Sequence, residues 1–497
     1  MATTQIRTLI FDIGDVLCTW NPKTSTSLPG KLLKEFRLSP IWYEYNCGRI
    51  GEEECYTRLA ASFSVPYAEI EEAFSQARNS QAGNDAMVAA IRELKLAHKD
   101  SLRIYAMSNV SRPDWEILKT KPIDWSIFDR VFTSSEAGMS KPELQFYRYV
   151  LRATDTAPQE AVFVDDKADN VLAARSLGIH GIQFDNSANV LRQLQNILGN
   201  PTQRGKKFLS SHAHEFHSVT DQGHVVPDNF SQLLMLEATG NPDLISLEYH
   251  EKSWNYFIGS PFGTTKTYPD DVDTTSLALM LLSVDDKVAH SVLDDMLRHL
   301  SADGIVMIYF DESRARTDPI VCINVVRLFY HYGRGNQPEL QPTKNWICEV
   351  LLNRAYLEGT RYYTSPDVFF YFFSRLLEEN GGSDIYQATA SLLKERLQER
   401  VGANGDSLEL SMRILACYSL GIRDEMGLNK LLSLQCEDGG WEIGWLCRYG
   451  KTGMRLGNKG VGTALAINAY QALRGREKSV ADSDEAISMT PRREPTP

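Results

Sequence analysis

The feature that most constrains the fold is a change of pattern near residue 198 of this 497-residue chain. Before that point, short apolar runs alternate with longer amphipathic segments. Four of these runs are strand candidates, at residues 7–12, 102–108, 130–133 and 161–165. Strands that alternate with helices predict a parallel α/β sheet, here within residues 1–198. Residues from about 20 to 95 have helical patterns and no convincing strand, which indicates an inserted helical cap.

The chain continues differently after residue 198. Residues 199–216 are rich in Gly, Pro, Lys, Ser and His, and this composition predicts a linker. Residues 217–475 show a series of helical patterns, which predicts an all-α domain built as an α/α barrel. Residues 476–497 are rich in Glu, Arg, Ser and Pro and are predicted to be a disordered tail. We therefore expect a multidomain protein, as its length also indicates.

Composition excludes some classes of partner. The formal net charge of -12 argues against nucleic-acid binding, which relies on clustered Lys and Arg. No run of about 18 apolar residues predicts a membrane span, and the first residues lack the apolar stretch of a signal peptide. The eight cysteines form no CxxC pair, so neither a zinc site nor a disulfide framework is indicated. We expect a cytoplasmic protein, and the sequence leaves its oligomeric state open.

Polar residues follow the predicted strands of the first domain. Asp12 ends one strand and Ser108 another, while Lys141 supplies an ammonium group further along the chain. A nucleophilic carboxylate, a hydroxyl and a lysine for phosphate oxygens, and carboxylates for Mg²⁺ together form a phosphoryl-transfer site. The remaining candidates are Asn109 after the second strand and the metal ligands Asp165, Asp166, Asp169 and Asn170 after the fourth.

In this order, these elements resemble the haloacid dehalogenase-like (HAD) superfamily over about residues 6–195. The resemblance implies that Asp12 is the nucleophile and also a metal ligand, and that Ser108 and Lys141 bind phosphate. It also implies Mg²⁺ as cofactor, held by Asp165 or Asp166. The spacing of Asp165, Asp166 and Asp169 also satisfies the DDxxD motif of class I terpene synthases, but that motif normally lies on a helix rather than after a strand.

One position departs from the HAD pattern. Phosphatases of the superfamily usually have a second Asp two residues after the nucleophile, where this chain has Gly14. Asp15 is displaced by one residue, and such a slip at a strand end points the side chain elsewhere. Loss of this acid and base affects cleavage of a monophosphate more than cleavage of a diphosphate, because an alkoxide is the poorer leaving group. The domain is thus expected either to hydrolyse a diphosphate or only to bind it.

A second pair of carboxylates lies in the helical domain. Asp271 and Asp273 precede an apolar helix in the sequence DVDTT, with Thr274 and Thr275 beside them. Crowded carboxyl groups raise one pKa and keep a carboxylic acid protonated near neutral pH, as protonation of an alkene requires. The alternative is that one of the two Asp residues only caps the helix.

The helical domain resembles the β domain of class II terpene cyclases. Gln435 and Trp441 fit the QxxxGxW repeat of these α-barrels, and aromatic residues that stabilise carbocations are abundant, for example at 254–257, 309–310, 362–363 and 369–373. A DxDTT motif behind a HAD-like domain resembles the drimane-type sesquiterpene synthases. This resemblance implies Asp273 as proton donor, Asp271 as its hydrogen-bond partner, and farnesyl diphosphate as substrate.

The expected reaction is protonation-initiated cyclisation of farnesyl diphosphate to a drimenyl- or albicanyl-type diphosphate, with possible dephosphorylation by the HAD-like domain. Thr274 and Thr275 are expected at the substrate, and Arg455 and Lys459 are candidate ligands of its diphosphate group. The alternative is a small-metabolite HAD phosphatase that carries a helical interaction module.

Overall fold

The computed structural model describes residues 6–21, 23–98, 101–449 and 452–475. The chain divides into two compact units, Met1–Leu198 and Gly199–Pro497. The tail predicted at 476–497 lies outside the described residues.

A parallel five-stranded sheet forms the centre of the first unit, as predicted. Its strands are β1 (Thr8–Phe11), β4 (Arg103–Ser108), β5 (Arg130–Thr133), β6 (Ala161–Asp165) and β7 (His180–Gln183), in the order β5-β4-β1-β6-β7. Strand β7 has no counterpart among the predicted strands. All residues of β1 are buried, because the sheet is covered on both faces. Leu9 and Phe11 belong to the core on one face and Ile10 to the core on the other, as strand alternation requires.

A helical cap interrupts the first unit after β1. The short strands β2 (Cys18–Thr19) and β3 (Ala82–Gly83) pair at its base, and between them lie α1 (Gly30–Leu38), α2 (Pro40–Asn46), α3 (Glu52–Phe63) and α4 (Tyr67–Asn79). The four helices enclose a separate apolar core that includes Phe36, Trp42 and Phe74. The predicted end of the cap, near residue 95, is wrong. Helix α5 (Asp85–His98) buries Met87 and Ile91 in the core beside the sheet, because its apolar face matches the sheet and not the cap.

Five further helices complete the first unit: α6 (Arg112–Leu118), α7 (Ser134–Ala137), α8 (Leu144–Ala153), α9 (Ala168–Ser176) and α10 (Ser187–Leu198). Helix α8 shows why the sequence predicted helices between the strands. Phe146, Tyr147, Val150 and Leu151 are buried along one of its faces, at the spacing of an amphipathic helix.

The predicted linker at 199–216 is wrong. Most of it forms helix α11 (Pro201–Ser211), which belongs to the second unit. The Asn200 side chain caps this helix by accepting the Gln203 N–H at 2.8 Å, and Pro201 occupies the first helical position. Phe208 and Leu209 are buried in the core of the second unit. The Gly, Pro and Lys content led to the linker prediction, although the segment contains a helix cap and two apolar residues that are buried in the core.

The second unit is an α/α barrel, as predicted. Its inner helices form a closed ring in which each contacts the next and the last contacts the first. They are α12 (Asn229–Thr239), α13 (Val272–Leu281), α15 (Pro319–His331), α17 (Pro366–Glu379), α19 (Ser407–Ser419) and α21 (Lys459–Arg474). Helices α14 (Asp286–Met296), α16 (Gln341–Leu352), α18 (Asp384–Gln398) and α20 (Glu425–Ser433) lie between or outside them.

A small antiparallel sheet adds to the helices of the second unit. It consists of β8 (Ser218–Thr220), β9 (Val225–Val226), β10 (Trp445–Arg448) and β11 (Arg455–Gly457), in the order β10-β11-β8-β9. Just before β10 in the chain, the QxxxGxW segment links neighbouring helices. Gln435 donates to the carbonyl of Pro201 at 2.9 Å, and the Trp441 indole donates to the carbonyl of Leu431 at 2.8 Å. Both side chains are fully buried, so this repeat stabilises the barrel and carries no chemistry.

Candidate active sites

The strand order of the first unit collects polar side chains at one edge of the sheet. Asp12 follows β1, Ser108 ends β4 and Asp165 ends β6, and these three strands are neighbours. All three side chains are buried. Because parallel strands present their carboxyl ends at the same edge, residues more than 150 positions apart in sequence share one site.

Lys141 is the centre of this site. Its ammonium lies 2.7 Å from a carboxylate oxygen of Asp12 and 2.7 Å from one of Asp165. The Asn109 side chain donates to the carbonyl of Lys141 at 2.8 Å and accepts the Lys141 backbone N–H at 2.8 Å. Asn109, predicted as a substrate ligand, therefore holds the backbone of Lys141 in place, although it also lines the adjoining cavity.

The two carboxylates that share Lys141 differ in acidity. Burial raises the pKa of Asp12 to about 7, against the opposing pull of Lys141, and the charge of Asp165 adds to the increase. Burial would also raise the pKa of Asp165, but Lys141 and hydrogen bonds from the Lys167 backbone and Asn170 hold it below its usual value. Asp165 is thus a fixed anion, whereas the ionisation of Asp12 depends on what else occupies the site.

The donor set fits a hard divalent cation. Carboxylate oxygens of Asp12, Asp165 and Asp166 lie within 4.8 Å of one another, and Mg²⁺ prefers such oxygen ligands. Asn170, predicted as a ligand, instead donates to both oxygens of Asp165 at 2.9 and 3.0 Å and so orients that carboxylate. Asp169 is exposed in the first turn of α9 and is not part of the cluster. Asp165 ends a strand, and its carboxylate and that of Asp166 lie beside Asp12. The DDxxD interpretation as a class I terpene synthase motif, which requires a helix, therefore does not apply.

The position that lacks the usual acid and base is open. A side chain at Gly14 would meet no atom within 4 Å of its Cβ. Asp15 is exposed in a left-handed conformation with φ 58°, and its backbone N–H donates to the carbonyl of Cys18 at 2.7 Å. Both Gly14 and Ser108 line a cavity of about 100 Å³ whose remaining wall comes partly from the cap. Asp15 does not line that cavity and is a poor substitute.

The second unit contains a larger cavity of about 520 Å³, with Asp271 and Asp273 in its wall. Eleven of its 23 lining residues are aromatic or aliphatic: Phe230, Tyr256, Phe257, Tyr268, Ile308, Tyr309, Val321, Tyr362, Tyr363, Tyr449 and Leu456. Several predicted aromatic residues are core instead: Trp254 and the run 369–373 are buried away from the cavity.

Asp271 is both a helix cap and a cavity residue. One carboxylate oxygen accepts the Thr274 N–H at 2.7 Å and begins α13. Its other oxygen is buried and, among the described residues, has no hydrogen-bond partner. Burial raises the pKa of Asp271 to about 8, and the charge of Asp273 contributes to the increase. The two interpretations of this residue, cap and acid, are therefore compatible, and each uses a different oxygen.

Asp273 is held by Asn324, which the sequence did not indicate, and by Tyr363, which was predicted only as an aromatic residue and not as a hydrogen-bond donor. The Asn324 amide donates to one oxygen at 2.8 Å, and the Tyr363 hydroxyl donates to the other. Burial raises the pKa of Asp273 to about 6, and these two donors limit the increase. The predicted hydrogen bond between Asp271 and Asp273 is wrong, because residues two apart at a helix start point in different directions.

Of the two threonines predicted at the substrate, only Thr274 lines the cavity. Thr275 is fully buried behind it. Its hydroxyl donates to the carbonyl of Asp271 at 2.6 Å and accepts the Trp254 backbone N–H at 2.8 Å. Thr275 therefore holds the backbone at Asp271 in place. It does not line the cavity.

The predicted diphosphate ligands lie elsewhere. Arg455 pairs with Asp221 at 3.2 Å, Lys459 pairs with Asp438 at 2.6 Å, and neither lines the cavity. Both are drawn away by surface carboxylates that are distant in sequence. In the described parts of the chain, four arginines line the cavity instead: Arg314, Arg316, Arg361 and Arg448.

Comparison with known proteins agrees with both halves of the structure. Residues 6–178 match the haloacid dehalogenase-like hydrolase family, and residues 202–332 match the sesquiterpene cyclase astC-like C-terminal domain. Drimenol cyclase drtB of Aspergillus calidoustus is 43% identical over 465 residues, which cover 94% of this chain and 88% of that protein. Sesquiterpene phosphatase astK of Aspergillus oryzae (strain ATCC 42149 / RIB 40) is 35% identical over 196 residues, or 39% of this chain and 98% of that protein.

Fold, sites and relatives together define an enzyme in which a HAD-like hydrolase domain precedes a helical terpene cyclase domain. The chain belongs to the drimenol cyclase family. Throughout the described residues, no helix is both long and apolar enough to cross a membrane.

Proposed function

We propose that this enzyme cyclises farnesyl diphosphate by protonating its terminal alkene, to give a drimenyl- or albicanyl-type bicyclic diphosphate. The observation that carries the proposal is the buried pair Asp271 and Asp273 in the wall of an aromatic cavity. An alkene is a very weak base, so its protonation needs a carboxylic acid in a site from which water is excluded. The name of the relative drtB supports the drimane skeleton.

Asp273 is the proposed proton donor. When it gives up its proton, the Asn324 amide and the Tyr363 hydroxyl stabilise the carboxylate that forms. Hydrogen bonds to a developing charge favour the transition state more than the ground state, which is what catalysis requires. Asp271, whose pKa is about 8, keeps its proton at pH 7. Asp273, whose pKa is about 6, holds its proton in only a fraction of molecules at pH 7, so cyclisation should become faster as the pH falls towards 6.

The cavity wall suits the steps after protonation. Tyr, Phe and aliphatic side chains surround the space, and aromatic faces attract a carbocation without capturing it. Two ring closures would carry the charge along the polyene, and loss of a proton would end the reaction with the carbon–oxygen bond to the diphosphate intact.

We further propose that the HAD-like domain removes phosphate from the cyclic product, as the name of the relative astK suggests. Asp12 would attack the terminal phosphorus and break its bond to the bridging oxygen, so that the monophosphate of the cyclic product leaves, while Lys141 and Ser108 would hold phosphate oxygens. Lys141, 2.7 Å from Asp12, favours the ionised nucleophile. Mg²⁺ on Asp12, Asp165 and Asp166 would neutralise phosphate oxygens when bound. Water would then hydrolyse the phosphorylated Asp12 and release inorganic phosphate. This step lacks its usual base, because position 14 is a glycine.

A cytoplasmic location is also part of the proposal and rests on the scattered cysteines of the sequence. The small-metabolite phosphatase alternative gains no support, since family membership extends over both units.

The test is to incubate the purified chain with farnesyl diphosphate and Mg²⁺ and to analyse products without added phosphatase. We expect a drimane alcohol or phosphate from the parent protein, no cyclic product from Asp273→Asn, and accumulated cyclic diphosphate from Asp12→Asn. Cyclisation at the parental rate by Asp273→Asn would refute the acid assignment. Dephosphorylation at the parental rate by Asp12→Asn would refute the role of the HAD-like domain.

A further inference from the structure

Three cavity arginines of the second unit converge on one loop. Arg448 donates from its side chain to the carbonyl of Thr360 at 2.8 Å, and its backbone N–H donates to the carbonyl of Tyr362 at 2.7 Å. Arg316 donates to the Tyr362 hydroxyl at 3.1 Å. The guanidinium of Arg361 lies 6.0 Å from the centroid of the Tyr362 ring. Residues 360–362 therefore bring three positive charges to one part of the cavity wall.

No carboxylate in the described part of the chain balances these charges. Within the described residues, Arg316, Arg361 and Arg448 make no ion pair with Asp or Glu. Arg314 differs, because Asp311 lies 3.4 Å from its guanidinium. Three like charges held together repel one another unless an anion with more than one negative charge binds between them.

The cavity is polarised along its length. Asp271 and Asp273 are each only 5% exposed, whereas Arg316 and Arg448 are partly exposed and Arg361 is exposed. The carboxyl pair thus lies at the closed end and the arginines at the open end. A linear molecule with an anionic head and an apolar tail fits this space in one direction only.

We propose that Arg316, Arg361 and Arg448 form the diphosphate-binding site of the cyclase unit. This site deepens the proposed function and rests on it for the identity of the isoprenoid tail. With the head on the arginines, the tail points inward and presents the alkene farthest from the diphosphate to Asp273. The same three side chains thus determine which double bond is protonated.

Arg361 gives the cleanest test. Its side chain makes no hydrogen bond or ion pair to any described residue, so Arg361→Gln removes the charge at the cost only of the cation–π contact with the Tyr362 ring, 6.0 Å away. Arg455→Gln is the charge-matched control, because Arg455 is also an exposed arginine of this unit, stacks on Trp445 at 4.6 Å and lies outside the cavity; it additionally loses the exposed ion pair with Asp221. Arg316→Gln is the second test variant, and it loses the hydrogen bond to the Tyr362 hydroxyl and the interaction with Tyr309.

Two measurements on the full chain separate this inference from the proposed function. Calorimetry with inorganic diphosphate in EDTA needs no isoprenoid, and we expect Arg361→Gln and Arg316→Gln each to weaken binding about tenfold or more, as loss of a charge-assisted contact does. In steady-state assays with farnesyl diphosphate, both should raise KM by a similar factor, while Arg455→Gln matches the parent.

Unchanged diphosphate affinity in both cavity variants would overturn the arginine site even if the chain cyclises farnesyl diphosphate. Equal weakening by Arg455→Gln would also overturn it, since the effect would then be one of overall charge. Arginine-dependent diphosphate binding in a chain that forms no cyclic product would support the site and refute the proposed cyclisation.

Discussion

Replacement of Tyr363 by Phe tests the environment of the proposed acid. The change removes the hydroxyl that donates to Asp273 and keeps the ring, which is 4% exposed and lies 6.4 Å from Phe230 and 6.4 Å from Phe372 between ring centroids. The amide of Asn324 still donates to the other carboxylate oxygen at 2.8 Å. The perturbation is therefore confined to one hydrogen bond in a packed site.

The expected loss follows from the strength of that bond. A hydrogen bond to a charged group contributes about 1.5–3 kcal/mol, and the charge on Asp273 is complete only after its proton has left. Loss of the bond therefore raises the barrier more than it destabilises bound substrate, and kcat should fall roughly 10- to 150-fold. The pKa of Asp273, about 6 in the parent, should rise because the phenol lowers it. Activity needs the protonated acid, so the loss of activity with increasing pH should begin at a higher pH.

The assay is kcat for cyclisation of farnesyl diphosphate by the full chain between about pH 5 and 9, with products identified after extraction. Tyr256→Phe is the control, because Tyr256 lines the same cavity, but its hydroxyl lies 3.8 Å from the sulfur of Cys447 and donates to no carboxylate among the described residues. An unchanged kcat and pH profile in Tyr363→Phe would refute the reasoning, as would an equal loss in Tyr256→Phe.

Two further substitutions address the other carboxylate of the pair and the open position of the HAD-like domain. Asp271→Asn should keep the cap on Thr274 and keep more cyclisation activity than Asp273→Asn, since Asp271 is already neutral at pH 7. Because burial raises its pKa to about 8, folding favours the protonated form, and this contribution to stability is lost as pH rises from about 4 to 8. The melting temperature of Asp271→Asn should therefore exceed that of the parent by a margin that grows over this range. A greater loss of activity in Asp271→Asn than in Asp273→Asn would instead make Asp271 the donor. Gly14→Asp should fit without a clash and supply an acid and base, and phosphate release from a farnesyl monophosphate should rise at least tenfold, given the ~10²–10⁴-fold that such groups contribute. Gly14→Asn is its control, and an equal gain in both variants, or none in Gly14→Asp, would contradict the role assigned to this position.

The local patterns of the sequence determined the fold of both units and the main chemical groups. Buried strands followed by Asp12, Ser108 and Asp165 predicted a parallel sheet and the edge where these residues meet, because chain direction fixes that edge. The QxxxGxW repeat and the apolar helix after Asp271 predicted the barrel and its acid. Such features depend on residues close in sequence, which share one strand, one helix start or one turn.

Contacts between distant segments were decided only by the tertiary structure. Asn324 and Tyr363 reach Asp273 from positions 51 and 90 residues away, and no local pattern distinguishes them from other polar residues of a helix or loop. Likewise, Arg455 and Lys459 had the right charge but found surface carboxylates, while Arg361 and Arg448 met at the cavity through a loop and a strand. The fold decides which charged side chains come close to one another. The sequence therefore determined which chemical groups were available, and the tertiary structure determined which of them act together.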